Sequence, residues 1–104
     1  MKYKFNVLKL NEEDNVVVAL RSLKVGESLS LQGLEEKIYV KEKIPYGHKI
    51  SLTKIEEGAP IIKYGECMGI STEEIPIGSH VHISNVRGLN ENERLNIVNK
   101  SMSL

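Results

Sequence analysis

With 104 residues, the chain is long enough for one domain with a modest hydrophobic core. Aromatic residues make up only 5% and tryptophan is absent, so we expect a core of valine, isoleucine and leucine. The 14 lysines and arginines are balanced by 14 aspartates and glutamates, and this lack of basic excess argues against a nucleic-acid binder.

A single cysteine, Cys67, cannot form an internal disulfide or supply a cysteine-rich zinc site on its own. This cysteine usage is typical of a reducing compartment, so we expect a cytoplasmic protein. Residues 1–6 lack the apolar core of a signal peptide, and no apolar run approaches the roughly 18 residues that span a bilayer. We therefore expect neither nucleic acid nor a membrane among its partners.

Short apolar stretches along the chain predict a mainly β structure. The run VVVAL at 16–20 is rich in β-branched residues and predicts a buried strand, and residues 3–10 predict a half-buried strand before it. Alternating apolar and polar residues predict further strands at 28–31, 36–43, 48–53 and 80–86. Residues 63–70 contain two glycines and little periodicity, which predicts an irregular loop or a bulged strand.

Three similar segments predict tight turns that lead into strands, namely LKVGES at 23–28, IPYGHK at 44–49 and IPIGSH at 75–80. Proline fixes φ at the second position of a turn, and a glycine two residues later can adopt the positive φ that returns the chain to a strand. The three glycines are unequally spaced, which argues against a solenoid and favours a small β domain built from related pieces.

The remaining segments are polar. Residues 54–60 predict a turn, and STEE at 71–74 has the residues of a helix N-cap and first turn. We assign residues 1–88 to one domain. Residues 89–104 form a polar C-terminal tail, for which a marginal helix, an unpaired tail and a partner-docking segment are all open.

The chemistry-bearing residues centre on His80 and His82. Side chains two residues apart on a strand share a face, so two imidazoles could reach one cation. A third ligand would still be needed, and His48 or an acidic residue could supply it. The alternative is that both histidines are ordinary surface residues.

A second group of candidate residues lies at Lys63, Tyr64 and Gly65. A lysine beside exposed backbone N–H groups could hold a carboxylate, and Arg87 could pair with one through both guanidinium nitrogens. Packing and solvation explain the same residues without a ligand. The sequence has no phosphate-binding loop, no paired carboxylate motif and no Ser-His-Asp pattern, so it contains no visible complete active site.

Taken together, the motifs resemble the N-terminal SAF domain of altronate and galactarate dehydratases. The resemblance rests on DNVVVAL at 14–20, Gly26, IPYGHK at 44–49, IKYGE at 62–66, Gly69, IPIGSHVH at 75–82 and Asn85, in that order. The small subunit of sulfolactate sulfo-lyase has the same pattern. The similarity covers about residues 11–88, and it departs from the family where Ser84 stands in place of a histidine.

This resemblance implies a SAF-type β-clip fold and a larger catalytic partner. It further implies a small subunit of a sugar-acid hydro-lyase, with Fe2+ or Mn2+ in a site shared between the two subunits. On the same basis, substrate-binding residues would be His48, Lys49, Lys63, Tyr64 and Asn85, with His80 and His82 as metal ligands; the catalytic residues stay unassigned.

Two other functions remain open at this point. One is a small subunit of a sulfolactate sulfo-lyase, which would share the partner and differ in the leaving group. The other is a stand-alone ligand-binding, carbohydrate-binding or assembly module without catalysis. Self-association into a homo-oligomer is compatible with each of these functions.

Overall fold

The computed structural model describes residues 5–102, and side chains only as far as residue 96. Within these limits the chain forms short strands followed by one helix: β1 (Val7–Leu8), β2 (Val16–Ala19), β3 (Lys49–Ser51), β4 (Pro60–Lys63), β5 (Glu66–Ser71), β6 (His80–Val81), β7 (Val86–Arg87) and α1 (Glu91–Met102). This confirms the prediction of a small, mainly β domain and is consistent with a β-clip.

The strands form two antiparallel sheets. One sheet has the order β1-β2-β3-β6 and the other has the order β4-β5-β7. In the first sheet Lys49 pairs with Val18 on one side and with Val81 on the other, which makes β3 a central strand. β3 follows the glycine turn at 44–47 and β6 follows the glycine turn at 75–78. The two segments that carry histidines are therefore neighbours in one sheet.

Four glycine turns, rather than the three predicted, organise the two sheets. Their glycines, each with φ between 80° and 91°, are Gly26, Gly47, Gly58 and Gly78. A buried aliphatic residue stands three positions before each glycine, and these residues bridge in two pairs, Leu23 with Ile44 and Ile55 with Ile75. The additional turn, at 55–58, has Glu56 at the position where two of the others have proline. The sequence alone therefore did not identify it as a member of this set.

Two buried serines hold two of these turns in place. Ser51 accepts a hydrogen bond from the Gly78 N–H at its carbonyl oxygen, 2.9 Å, and from the Ser79 N–H at its hydroxyl, 3.0 Å. Ser71 does the same for Gly58 and Ala59, at 2.9 and 3.1 Å. Each serine thus accepts hydrogen bonds from two successive turn N–H groups, one at its carbonyl oxygen and one at its hydroxyl.

The core consists of two aliphatic clusters. The larger combines β1–β3 residues such as Val17 and Ile50 with Leu29, Ile38 and Val40 from the connections. The smaller contains Val16, Ile55, Ile61, Ile75 and Val81. As the composition predicted, the buried hydrophobic residues are aliphatic.

The predicted strands at 28–31 and 36–43 are wrong. Ser28 and Tyr39 form a single antiparallel bridge, and no longer ladder develops there within the described residues. Leu29, Ile38 and Val40 are nevertheless buried in the larger cluster. The alternation therefore reflects side chains that enter the core from an irregular backbone, which sequence periodicity cannot distinguish from a strand.

Residues 63–70 are mostly a strand, with the bulge that was one of the two predicted alternatives. Lys63 pairs with Glu66 across a two-residue turn, and the β4–β5 register shifts between Ile61 and Ile62. The predicted helical start at 71–74 is wrong, because Ser71 ends β5 and its hydroxyl is already bonded to the turn at 55–58. An N-cap side chain must be free to bond its own helix.

The predicted strand at 80–86 is interrupted. β6 ends at Val81, a turn follows, and β7 begins at Val86 in the other sheet.

At the N-terminus, part of the predicted strand at 3–10 lies outside the described residues, and the described part contains the two-residue β1. The polar tail contains α1, the helix that was one of the three alternatives; no helix among the described residues is long and apolar enough to cross a membrane.

Candidate functional site

The three histidines form one continuous cluster. Nδ1 of His48, which follows the second glycine turn, lies 2.9 Å from Nε2 of His80 on β6. The rings of His80 and His82 are stacked, with centroids 4.0 Å apart and planes 10° from parallel. The pairing of β3 with β6 brings His48 and His80 together, because Lys49 and Ile50 oppose Val81 and His80.

His82 reaches this cluster from a turn rather than from the predicted strand. The buried side chain of Asn85 accepts a hydrogen bond from the His82 N–H, 2.9 Å, and donates one to the His80 carbonyl oxygen, 2.8 Å. These bonds close the turn and place the two rings one above the other. Ile83, which would share the buried face of Val81 in a continuous strand, is 96% exposed.

Burial lowers the pKa of His80 below its usual 6.5, and the neighbouring His82 and His48 act in the same direction. Burial and positively charged neighbours both disfavour the protonated form of His80. Its imidazole is therefore neutral at neutral pH. Neutral imidazole is the form that can accept a proton or bind a metal ion.

Glu42 and Ser84 join the cluster. The sequence indicated that an acidic residue could be a third ligand, but not that it is Glu42. A carboxylate oxygen of Glu42 accepts a hydrogen bond from the His80 N–H, 3.3 Å. The hydroxyl of Ser84 lies 2.8 Å from Nε2 of His82. Only the fold brings Glu42 near His80, because 38 residues separate them, so no local motif could have identified it.

The donor atoms around His80 suit a divalent metal ion. One ligand atom from each of Glu42, His80 and His82 lies within 4.8 Å of the other two. Two imidazoles and one carboxylate form a donor set that Fe2+ and Mn2+ accept. By the chemistry of the donor set, the residues present therefore fit the metal that the family resemblance implied.

Lys49 provides positive charge near His80, and Lys63 lies close enough to Lys49 to act on it. Burial lowers the pKa of Lys49 below 10.5, and the charge of Lys63 lowers it further. Among the described side chains, neither lysine forms an ion pair with a carboxylate. Two neighbouring lysines without an acidic partner are well suited to bind an anionic group.

Tyr64 lies at the tip of the β4–β5 hairpin, and it does not line the cleft that holds the histidines. Its φ of 59° and the φ of 73° at Gly65 are those of a tight hairpin turn. The buried carboxylate of Asp14 accepts hydrogen bonds from the N–H groups of both residues, at 3.1 and 2.8 Å. The Tyr64 side chain is 60% exposed, with Nζ of Lys63 5.3 Å from its ring centre.

An open cleft of about 730 Å³ contains the histidine cluster. Four of the seven predicted site residues line it, namely His48, Lys49, His80 and His82; Lys63, Tyr64 and Asn85 do not. The lining also includes the apolar residues Ile61, Met68, Ile83 and Val86. Arg87 also lines the cleft, but both its terminal nitrogens are bonded to Glu93, at 2.7 and 2.8 Å.

The chain is similar to known proteins over most of its length. Residues 5–89 match the family described as altronate/galactarate dehydratase SAF domain. Altronate dehydratase from Bacillus subtilis is 41% identical over 80 residues, and that from Escherichia coli is 38% identical over 80. Each match covers 77% of this chain and 16% of the relative, so the chain corresponds to a small part of those enzymes.

A third relative is a protein of similar size. The (2R)-sulfolactate sulfo-lyase subunit alpha from Chromohalobacter salexigens is 31% identical over 75 residues, which is 68% of this chain and 80% of the relative. The family match covers most of the described chain, including every residue of the histidine cluster. The chain belongs to the altronate/galactarate dehydratase SAF-domain family.

Proposed function

We propose that the chain is the small subunit of a sugar-acid hydro-lyase of the altronate and galactarate type. In this proposal it provides one wall of the substrate site, and a separate, larger catalytic subunit completes it in the cytoplasm. The observation that supports it most is the cleft in which His48, Lys49, His80 and His82 meet while one side remains open. Ligand pockets usually bury most of the ligand and often lie at domain interfaces. An open cleft with candidate metal ligands and positive charge therefore fits a site that a second chain completes.

The lysines are the proposed binding groups for the substrate carboxylate. Lys49 lines the cleft, and Lys63 is close enough to lower its pKa. A carboxylate placed between them would relieve the repulsion between the two ammonium groups. Tyr64, next to Lys63, would contact the substrate or the partner, and Asn85 would contribute by fixing the turn that carries His82.

His80 and His82 are the proposed protein ligands of Fe2+ or Mn2+. Removal of water from a polyhydroxy acid needs a base at the carbon beside the carboxylate and a Lewis acid for the departing hydroxide. The metal would supply the Lewis acid when bound. The base is not assigned to a residue of this chain, because a larger subunit would provide groups that face the same substrate.

The experiment is reconstitution of lyase activity. The chain is purified with a candidate larger subunit, and dehydration of altronate and galactarate is followed in the presence of iron or manganese. We expect turnover only when both chains are present. His80→Ala and His82→Ala should each abolish it with unchanged circular dichroism, whereas Glu57→Gln, at an exposed turn position, should retain it. If the pair dehydrates no sugar acid, the hydro-lyase proposal is dropped.

A second candidate function is that of a sulfo-lyase subunit. It is favoured by one observation, that a separate subunit of a sulfolactate sulfo-lyase matches over 80% of its length. A sulfonate and a carboxylate are both anions that paired lysines can bind. Sulfite release from (2R)-sulfolactate, measured on the same pair of chains, distinguishes the two. A chain that joins no larger partner and binds sugars alone would instead be a binding module.

A further inference from the structure

The carboxylate of Glu42 completes a set of three potential metal ligands within this domain. We propose that Glu42, His80 and His82 together bind one divalent first-row transition-metal ion without help from a partner subunit. The inference deepens the proposed function, on which its role in a lyase rests. It adds a ligand, Glu42, and it places the whole ligand set on one chain.

The geometry that carries the inference is the closeness of three different donors. Their ligand atoms lie within 4.8 Å of one another, although Glu42 comes from a connection, His80 from β6 and His82 from the following turn. Glu42 is exposed and forms no ion pair with a described lysine or arginine. Its Oε2 accepts a hydrogen bond from the backbone N–H of His80. This bond orients the carboxylate and leaves Oε1 for a cation.

Neighbouring side chains can fix the ring nitrogens that face the ion. A metal-binding histidine usually donates its other ring N–H to a hydrogen-bond acceptor. Nε2 of His80 lies 2.9 Å from Nδ1 of His48, so a proton on that Nε2 leaves Nδ1 of His80 as the ligand atom. The Ser84 hydroxyl lies 2.8 Å from Nε2 of His82 and 3.3 Å from Nδ1, so it can accept a hydrogen bond from a protonated Nε2.

These contacts give His48 and Ser84 positioning roles rather than ligand roles. Ser84 stands two residues after His82, in the same turn. A hydroxyl there supports His82 from the side, and Glu42 supplies the third ligand. Two imidazoles and a carboxylate leave further coordination positions for water or substrate.

Direct titration of the untagged full chain with Co2+ and Zn2+ tests the inference. Calorimetry at neutral pH should show one equivalent bound to the wild-type protein, and Co2+ should give an absorption spectrum of a nitrogen- and oxygen-ligated ion. Glu42→Gln and His82→Ala should each weaken binding by at least about tenfold, since each removes a ligand. Glu57→Gln is the matched control, because it removes an exposed carboxylate elsewhere.

His48→Ala tests the positioning role. We expect affinity to fall about 10–100-fold while one equivalent still binds, with a changed Co2+ spectrum. A purely structural histidine would change the unfolding temperature and leave the Co2+ spectrum as it is. An unchanged spectrum and affinity would remove His48 from the site.

Two results would overturn the inference: a folded wild-type chain that binds neither ion at millimolar concentration, or a Glu42→Gln variant that binds as tightly as wild type. The measurement needs no partner and no substrate. Failure to bind metal in an active pair of subunits therefore rejects only this inference, and metal binding without lyase activity rejects only the proposed function.

Discussion

Gly78 lies directly against the backbone carbonyl of Tyr39. A β-carbon on Gly78 would overlap the Tyr39 oxygen, and the Gly78 carbonyl accepts a hydrogen bond from the Lys41 N–H, 3.0 Å. The glycine turn at 75–78, which precedes His80, therefore packs against the connection that carries Glu42. This contact joins the two parts of the chain from which the histidine–glutamate cluster is made.

Gly78→Ala should therefore destabilise the protein more than Gly26→Ala does. Both glycines have positive φ, 84° and 91°, but a β-carbon on Gly26 would meet no atom within 4 Å. Gly26→Ala should cost about 1–2 kcal/mol, the penalty for an L-residue in this conformation. Gly78→Ala should add about 1–3 kcal/mol for the steric overlap, as measured by urea unfolding. Equal losses in the two variants would contradict the close contact.

Asp14 is predicted to stabilise the tip of the β4–β5 hairpin. Its two carboxylate oxygens accept the N–H groups of Tyr64 and Gly65 separately, and the residue is only 5% exposed. Asp14→Ala should lower the free energy of unfolding by about 1–3 kcal/mol, since it leaves both N–H groups without their acceptor. Asp14→Asn keeps one acceptor oxygen and should lose less.

Glu13→Ala is the control for Asp14, because its side chain is exposed on the adjacent position. It should change the free energy of unfolding by less than about 0.5 kcal/mol. Amide hydrogen exchange gives a local readout, in which Tyr64 and Gly65 should exchange faster in Asp14→Ala. Unchanged exchange at both amides would show that Asp14 does not hold the hairpin.

The sequence predicted the fold correctly where a residue type strongly favours one local structure. Glycine two positions after proline predicted the turns at Gly47 and Gly78, and three consecutive valines predicted β2. Residues 54–60 also predicted a turn, but its similarity to the other glycine turns was not recognised, because a glutamate stands where two of them have proline. What defines that turn is the burial of Ile55 against Ile75, and this is a property of the fold.

The candidate site could be predicted only in part for a similar reason. His80 and His82 were paired on the assumption of a continuous strand, yet the rings stack because Asn85 bonds the backbone at both histidines. His48 was included because it follows a glycine turn similar to the one that precedes His80. Glu42 is brought in by the packing of a connection against Gly78, and no spacing in the sequence reports that contact.

Lys63→Gln should raise the pKa of Lys49. Burial is the larger cause of the lowered pKa and the charge of Lys63 is the second, so the variant should move the pKa towards 10.5 without reaching it. Side-chain NMR of the lysine ε-carbon measures this directly. Lys54→Gln, which removes a lysine bonded to Glu56 and Glu74, should leave Lys49 unchanged. An unaltered Lys49 pKa in Lys63→Gln would show that the two lysines do not form one anion-binding pair.

The start of α1 is predicted to depend on pH through Glu93. Its N–H donates to the Asn90 side chain, 2.8 Å, while its carboxylate accepts the Asn90 N–H, 2.9 Å, which is a reciprocal helix cap. Arg87 bonds the same carboxylate, and these contacts lower the pKa of Glu93 from 4.5 to about 2. The stabilisation is therefore complete above pH 4.5 and is lost as the pH falls towards 2.

Removing Arg87 tests this coupling between β7 and the helix. In Arg87→Gln the pKa of Glu93 should rise, because the Arg87 hydrogen bond is its largest cause, and it should stay below 4.5 because the Asn90 contact remains. Carboxyl-carbon NMR of Glu93 across the acid range measures the change. Arg94→Gln, which removes a neighbouring arginine of the same helix, should leave the titration of Glu93 as in the wild type. A Glu93 carboxyl that titrates alike in both variants would mean that Arg87 does not join the helix to the sheet that borders the cleft.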